Sequence, residues 1–307
     1  MIRFGPAGNS DSFYAAGFKS SDQAPGWLRK MGLSAYEYSF GRGVSLKEET
    51  AERIAARARE NDIAVSAHAP YFINLSNPDP QKREASFRYI AQSARLLRLL
   101  DGERLVVHVG AAMKLERAEA LKNCRAGLKE AYRRLDDLGL SGIRLCPETM
   151  GRAGQIGDLT ETLDFCLLDE RMIPCLDFAH LHARDRGALG STEAFARVLD
   201  RAEQALGLDR ARTMHIHFST IEFTQKGEKR HRTFAETAYG PRFEHLAPLL
   251  LERGYQPRII CECHGTMAED ARAMQDIYEN MEQKRREPHG VSAHHVLFQR
   301  PAPDGVL

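Results

Sequence analysis

The sequence predicts an α/β protein that forms a single (β/α)8 barrel with a metal site at the C-terminal rim of its strands. Short apolar runs alternate with amphipathic segments along the chain, eight such runs can be counted, and most of them end in histidine, aspartate or glutamate. This alternation is typical of a parallel sheet that is wound by crossover helices. The length of 307 residues suits one barrel of this kind.

The predicted strands are apolar runs that would be buried along their length and would deliver their last side chain to the rim of the barrel. The first run starts the chain and leads into a glycine-rich turn. The eight strands are expected near residues 2–5, 35–39, 63–68, 104–109, 143–148, 173–177, 213–218 and 258–263.

The predicted helices lie between and after these strands, near residues 21–31, 46–60, 80–100, 115–138, 158–168, 191–206, 242–253 and 268–286. The second begins with Glu48 and Glu49, which favour a helix N-terminus through the helix dipole. Gly139 and Gly142 end the fourth helix before the fifth strand. We therefore expect residues 1–286 to form the barrel and residues 287–307, which carry weak structural signals, to form a C-terminal extension.

Composition narrows the class of protein. The formal net charge of +1 argues neither for nor against a nucleic-acid partner, because clustering of cations on one face matters more than their total. No apolar run is long enough to span a membrane, and the N-terminus lacks the apolar segment of a secretory signal, so we expect a cytoplasmic monomer. The six cysteines contain no CxxC pair and are interpreted as core residues rather than zinc ligands or disulfides.

Candidate metal ligands recur at the spacing of a β/α unit. A mixture of imidazole and carboxylate suits zinc, with manganese or iron as alternatives, whereas an all-oxygen set would favour magnesium or calcium. Each residue alone could be a structural histidine or the partner of an arginine, but their joint occurrence at consecutive strand ends predicts a metal site. The candidates are His68, His108, Glu148, Asp177, His180, His215, His231 and Glu262.

Several motifs together resemble a known family. They run from about residue 60 to 265 and comprise SAHAPYFINL from Ser66, VHVG from Val107, PETMGRAGQ from Pro147, CLDFAH from Cys175, MH from Met214, KRH from Lys229 and ICE from Ile260. At these residues the sequence resembles the endonuclease IV type of apurinic/apyrimidinic endonucleases, which are xylose-isomerase-like TIM barrels. The first motif is specific, and the shorter ones are convincing only together and in order.

The resemblance implies a ligand set for zinc. His68 and His108 would hold one ion, and Glu148 would bridge to a second ion that is held by Asp177, His215 and Glu262. His180 and His231 match the two histidines of a third site.

The chain departs from the family at that third site, because Lys229 replaces the family's aspartate. We favour a dinuclear site in which Lys229 contacts phosphate, since an ammonium group would repel a third metal. In the alternative, a nearby carboxylate such as Glu228 or Asp185 takes the missing place. Further departures are His217, which shares a strand face with His215, and the sequence Glu-Thr-Met from Glu148.

The activity implied by the resemblance is metal-assisted hydrolysis of duplex DNA on the 5′ side of an abasic site. Glu148 and Glu262, with Lys229, would be the catalytic residues, and two zinc ions would activate a water molecule. Such an enzyme extrudes a nucleotide from the duplex. The resemblance places Tyr71 and Phe72 as the wedge that fills the gap, although core packing would also explain an aromatic pair.

Three more cations complete the predicted DNA-binding surface. Arg42 lies in a glycine-flanked loop and is a candidate second wedge, while Lys226 and Arg230 belong to a cationic run that would contact phosphates. A solvated loop is the alternative explanation of that run.

Two other classes of protein fit the same barrel. Sugar isomerases and epimerases of the superfamily use one or two divalent metals to move protons on small polyhydroxy substrates, and would have a more enclosed pocket. A metal-stabilised binding module would have a saturated coordination shell with no open position.

Overall fold

The computed structural model describes residues 1–41 and 43–286. Its strands and helices follow the predicted order. In chain order the strands are β1 (Arg3–Pro6), β2 (Ala35–Ser39), β3 (Ala64–His68), β4 (Arg104–Val107), β5 (Gly110–Ala111), β6 (Arg144–Pro147), β7 (Gln155–Ile156), β8 (Cys175–Asp177), β9 (His215–Phe218), β10 (Thr220–Thr224), β11 (Gly227–Arg232) and β12 (Arg258–Cys261).

The helices pack around the strands. They are α1 (Asp11–Ala15), α2 (Ala24–Lys30), which follows a 3-10 turn at Ser21–Gln23, α3 (Glu48–Glu60), α4 (Pro80–Leu99), α5 (Arg117–Asp137), α6 (Leu159–Cys166), α7 (Phe178–Arg184), α8 (Thr192–Leu206), α9 (Leu208–Arg212), α10 (Phe243–Glu252) and α11 (Met267–Arg286). No helix in the described ranges is both long and apolar enough to cross a membrane.

Eight of the strands form a closed parallel barrel. One parallel sheet has the order β1-β12-β9-β8 and the other has the order β2-β3-β4-β6. A parallel bridge between Ala7 and Glu37 joins one pair of sheet edges, and a parallel bridge between Glu148 and Cys175 joins the other pair. The predicted (β/α)8 barrel is therefore confirmed.

The structure differs from the prediction in the segment that follows β9. A solvated loop was one of the two explanations of the cationic run, but all of the run after Lys226 forms β11, which pairs antiparallel with β10 in a hairpin. The short helix α7 after β8 was also missed. Both elements stand on the C-terminal rim, where loops carry function, and neither shows the long periodicity of a barrel helix.

The buried apolar side chains of the described residues form three separate clusters, the smallest of which is Ala179, Ala183 and Ile221 on α7 and β10. The main core fills the space between strands and helices, while Val106, Cys146, Ile173 and Cys175 form a second cluster of their own. Because side chains alternate along a strand, residues two positions further along share this inner face. The inner cluster thus lies directly beneath the rim positions of β4, β6 and β8. All six cysteines are buried and free.

Two predicted features lie outside the described residues. They are Arg42 and the extension formed by residues 287–307. The division of the chain into a barrel and an extension stays a prediction.

Candidate metal centre

Five of the predicted ligands meet at the C-terminal rim. His68 ends β3 and Asp177 ends β8, while His108, Glu148 and Glu262 directly follow β4, β6 and β12. The carboxyl ends of parallel strands meet at one edge of a barrel, so short apolar strands of similar length bring these side chains together.

The first cluster joins two histidines to one oxygen of Glu148. Its Oε2 lies 2.8 Å from Nε2 of His108 and 3.1 Å from Nε2 of His68. The other ring nitrogen of His68 lies 2.7 Å from the carbonyl oxygen of Ala69, and that of His108 lies 3.3 Å from the carbonyl oxygen of Tyr71. Because these carbonyls hold Nδ1 of each ring, Nε2 is the ring nitrogen that faces the carboxylate and that a metal would bind after displacing its proton.

The second cluster uses the other oxygen of the same glutamate. One ligand atom from each of Glu148, Asp177, His217 and Glu262 lies within 4.8 Å of all the others. Nδ1 of His217 is 3.3 Å from Oε1 of Glu148 and 3.2 Å from Oε2 of Glu262. Glu148 is therefore shared between the two clusters.

His215 is not at the rim, which corrects the predicted ligand set. In the pairing of β8 with β9, His217 is level with Asp177 and His215 is level with Cys175. His215 therefore lies one inward-facing layer deeper, about 6 to 7 Å along the strand. His215 was predicted as a ligand because it ends the short run Met214-His215, whereas β9 begins at His215 and places His217 in the ligand position.

Glu37 is a site residue that the sequence analysis missed. It is fully buried in the barrel, and its Oε1 lies 3.0 Å from Nε2 of His217 while its Oε2 lies 3.0 Å from Nε2 of His215. Ser66 donates a hydrogen bond of 2.9 Å to the same carboxylate. A glutamate in the middle of an otherwise apolar strand was the available signal, because a buried carboxylate requires partners.

A third cluster joins Asp177 to two histidines, His180 and His231, from the segments after β8 and β9. Nε2 of His180 lies 3.2 Å from Nε2 of His231. The opposite nitrogens are occupied, since Nδ1 of His180 is 2.9 Å from the carbonyl oxygen of Thr149 and Nδ1 of His231 is 2.7 Å from Oγ of Ser219. Two ring nitrogens thus face each other at the mouth of the site.

Lys229 does not face these histidines or line the cleft. Its side chain is 58% exposed and forms an ion pair with Glu222 across the hairpin. The register explains this, because Arg230 pairs with Glu222 while Glu228 pairs with Phe223, which leaves Lys229 as the extra residue of a β-bulge. The expectation that Lys229 contacts phosphate in the site is therefore not met by its position.

The electrostatics fit a site for cations. Burial opposes ionisation of Glu148, but His108 and its other histidine neighbours hold its pKa well below the usual range. Burial disfavours protonated His68, yet Glu148 raises the pKa of that histidine to about 9. Burial raises the pKa of Asp177, whose Oδ2 is buried and accepts no hydrogen bond from the described residues. Mixed imidazole and carboxylate donors with an unsatisfied oxygen match the zinc, manganese or iron set.

A cleft of about 390 Å³ opens above the clusters. The predicted aromatic wedge stands at its edge, with Tyr71 60% and Phe72 42% exposed, so core packing does not account for the pair. Phe72 packs edge to face on Tyr89, with ring centroids 4.9 Å apart. The cleft is lined by Ser39, Gly41, His68, Tyr71, His108, Met150, Arg152, Gln155, His180, Glu228, His231 and Glu262.

The predicted cationic contacts lie beside this cleft rather than in it. Lys226 occupies the turn of the β10–β11 hairpin, and both Lys226 and Arg230 are exposed. Their contact with DNA stays a prediction. Arg152, which the sequence analysis did not single out, lines the cleft.

Comparison with known proteins settles the family. The model of the xylose isomerase-like TIM barrel family matches residues 25–283. The chain belongs to this family. An uncharacterised protein of Methanocaldococcus jannaschii is 34% identical over 85% of this chain and 92% of its own length.

Proteins that are similar to this chain in sequence or in fold include both enzyme classes considered above. A probable endonuclease 4 of Persephonella marina is 26% identical over 63% of this chain and 68% of its own length. The solved endonuclease IV of Thermus thermophilus has a TM-score of 0.66 at 18% identity, covering 92% of this chain and 99% of its own. D-psicose 3-epimerase of Clostridium cellulolyticum has a TM-score of 0.61 at 16% identity, covering 91% and 99%. At these identities the two structures show a shared fold.

Proposed function

We propose that this protein is a metal-dependent phosphodiester hydrolase that cuts duplex DNA on the 5′ side of abasic sites. The observation that carries the proposal is the shared carboxylate of Glu148, whose two oxygens face different ligand clusters. A carboxylate that joins two clusters suits a two-metal centre, which clamps the attacking and leaving oxygens of a phosphodiester. The sequence similarity to a probable endonuclease 4 supports the same class.

The residues of the centre would hold the ions in two groups that share Glu148. His68 and His108 would bind one ion, and Asp177, His217 and Glu262 would bind the other. Zinc held there supplies an activated water at neutral pH and positive charge for the phosphodiester. All six side chains lie in a barrel strand or directly after one, which favours a fixed ligand geometry.

The role of Glu262 follows from its surroundings. Burial opposes its ionisation, but His217 lowers the pKa of this carboxyl to about 2. A carboxylate that stays ionised at neutral pH suits metal binding, whereas a general base works best with a pKa close to the working pH. We therefore assign Glu262 as a ligand first, with proton transfer as a secondary role.

Contacts to DNA are assigned from exposure and position. Tyr71 stands at the edge of the cleft and would stack in the gap left by the extruded nucleotide. Arg152 would meet the phosphate in the cleft, while Lys226 and Arg230 would meet phosphates further along the strand. No membrane contact is invoked.

Epimerisation of a small sugar is the second candidate function. The cleft of about 390 Å³ is large enough for a monosaccharide, and the fold is shared with a D-psicose 3-epimerase. An epimerase would need one or two metals and no exposed aromatic side chain at the entrance, so the three histidine-containing clusters and Tyr71 favour the nuclease.

One experiment separates the two functions. Zinc-loaded protein is incubated with a duplex oligonucleotide carrying one abasic site, and in parallel with a panel of ketoses. Incision on the 5′ side that is lost in Glu148→Gln and kept in Glu119→Gln, an exchange of an exposed glutamate in α5, supports the proposal. Epimerised ketose without incision would establish the second candidate instead.

A further inference from the structure

We propose that Glu228 is the carboxylate ligand of a third metal site with His180 and His231, in place of the aspartate that Lys229 replaces. The inference deepens the proposed function and rests on it for the use of this ion in hydrolysis.

The hairpin bulge determines which side chain enters the site. Without a bulge, side chains would alternate and Lys229 would share a face with His231. The extra residue shifts the alternation by one, so that Glu228 replaces Lys229 on the side that faces the cleft. The exposed fractions agree, since the Glu228 side chain is 19% exposed and that of Lys229 is 58% exposed.

The carboxylate of Glu228 lies beside His180, one of the two facing histidines. Its Oε2 lies 3.6 Å from Nε2 of His180, and that nitrogen lies 3.2 Å from Nε2 of His231. The opposite nitrogens of both rings are engaged by Thr149 and Ser219, which leaves the facing nitrogens to bind a metal. One carboxylate and two imidazoles form a common zinc ligand set with room for a further ligand.

The backbone at Glu228 is held in place from two sides. Its N–H donates to the carbonyl oxygen of Gly151 at 3.0 Å, and its carbonyl oxygen accepts from Nε of Arg152 at 3.1 Å. A Cβ at Gly151 would lie 2.6 Å from Cβ of Glu228 and 3.1 Å from Cδ2 of His180. Only glycine permits this approach, so the loop after β6 is shaped around the glutamate.

Lys229 is neutralised away from the site. Its contact with Glu222, together with that of Arg232, lowers the pKa of the Glu222 carboxyl to about 2, so the pair is ionised at neutral pH. The ammonium group is therefore held on the outer side of the hairpin, where it does not repel an ion between the two histidines.

The test compares two neighbouring substitutions to the same residue. The wild type, Glu228→Gln and Lys229→Gln are each stripped of metal with a chelator. Each is then titrated with zinc in competition with a chromophoric chelator, and the number of bound ions is counted. Wild type and Lys229→Gln should bind three ions per chain. In Glu228→Gln the affinity for the third ion should fall at least about tenfold, because loss of a group that only contacts a ligand already costs about that much.

Several outcomes would overturn the inference. The inference is wrong if the wild type binds only two ions, or if Glu228→Gln binds three ions with unchanged affinity. It is also wrong if Lys229→Gln loses the third ion. Asp177 also lies close to His180, and an intact third site in Glu228→Gln would identify it as the ligand. Matching thermal melts of the chelated proteins exclude misfolding. The experiment counts only bound metal and does not depend on the proposed function. A protein that shows this binding pattern but does not cut DNA would contradict the proposed function and still support the third metal site.

Discussion

Oε1 of Glu37 lies 3.0 Å from Nε2 of His217, and both side chains are fully buried inside the barrel. The two atoms are close enough for a strong charge interaction, although their geometry is not that of a hydrogen bond. The other ring nitrogen, Nδ1, faces Glu148 and Glu262. A carboxylate beside a metal-binding histidine raises the basicity of that ligand.

Glu37→Gln should lower zinc affinity at the second cluster by about 10- to 100-fold, because the amide removes the negative charge that Glu37 places beside His217. The measurement is zinc competition with a chromophoric chelator. Ser66→Ala is the matched control, since Ser66 donates to the other oxygen of Glu37. Equal zinc affinity in wild type and Glu37→Gln would show that the pair has no role in metal binding.

Glu148→Gln should release metal from both clusters that share this side chain, because an amide cannot serve two cations as a carboxylate does. Metal analysis of the purified variant should find at least two ions fewer than in wild type, and incision of abasic DNA should be lost. Glu119→Gln should keep the full metal content. A Glu148→Gln variant that retains its metal would remove the basis for a shared centre.

Tyr71→Ala should weaken binding of abasic duplex by about 1 to 3 kcal/mol, the usual contribution of one stacked base. Phe72→Ala should weaken it less, because Phe72 packs on Tyr89. Fluorescence anisotropy of a labelled duplex gives both values. Leu138→Ala is the control. Leu138 is also 60% exposed, but it lies at the end of α5, on the side of the barrel where the strands begin. Unchanged binding in Tyr71→Ala would contradict the wedge.

Zinc affinity should rise with pH up to about 9, because contact with Glu148 raises the pKa of His68 to about 9 and zinc must displace that proton. In metal-free protein the same contact should stabilise the fold fully below the unfolded pKa of about 6.5, and this stability should be lost as the pH rises through about 9. Zinc titrations and thermal melts across this range measure both effects. His68→Asn should flatten both profiles, and an unaltered pH dependence in that variant would assign the effect elsewhere.

Much of the architecture was predictable from local sequence. The eight barrel strands are short, largely apolar runs, so their positions could be predicted from the local sequence without knowing their neighbours. The predicted and observed ends of the strands and helices differ by a few residues. The helix predicted near residues 21–31 is a 3-10 turn followed by α2, because the helical pattern of the sequence does not distinguish the two kinds of helix.

The candidate centre was predictable only in part. His68, His108, Glu148, Asp177 and Glu262 could be named because each ends a strand, and strand ends of a parallel barrel converge. The hairpin was missed because its alternation is short and highly charged, so nothing in its composition distinguished it from a solvated loop.

The sequence by itself determined the barrel and the rim positions of most ligands, because strand burial and side-chain alternation are local properties of the chain. Only the tertiary structure decided between His215 and His217, since alternation gives the face of a side chain and the pairing of β8 with β9 gives its depth. The bulge that exchanges Lys229 for Glu228 likewise depends on cross-strand register. Glu37 lies on β2 and His217 on β9, in different sheets of the barrel. Only closure of the barrel brings their side chains to within 3.0 Å of each other.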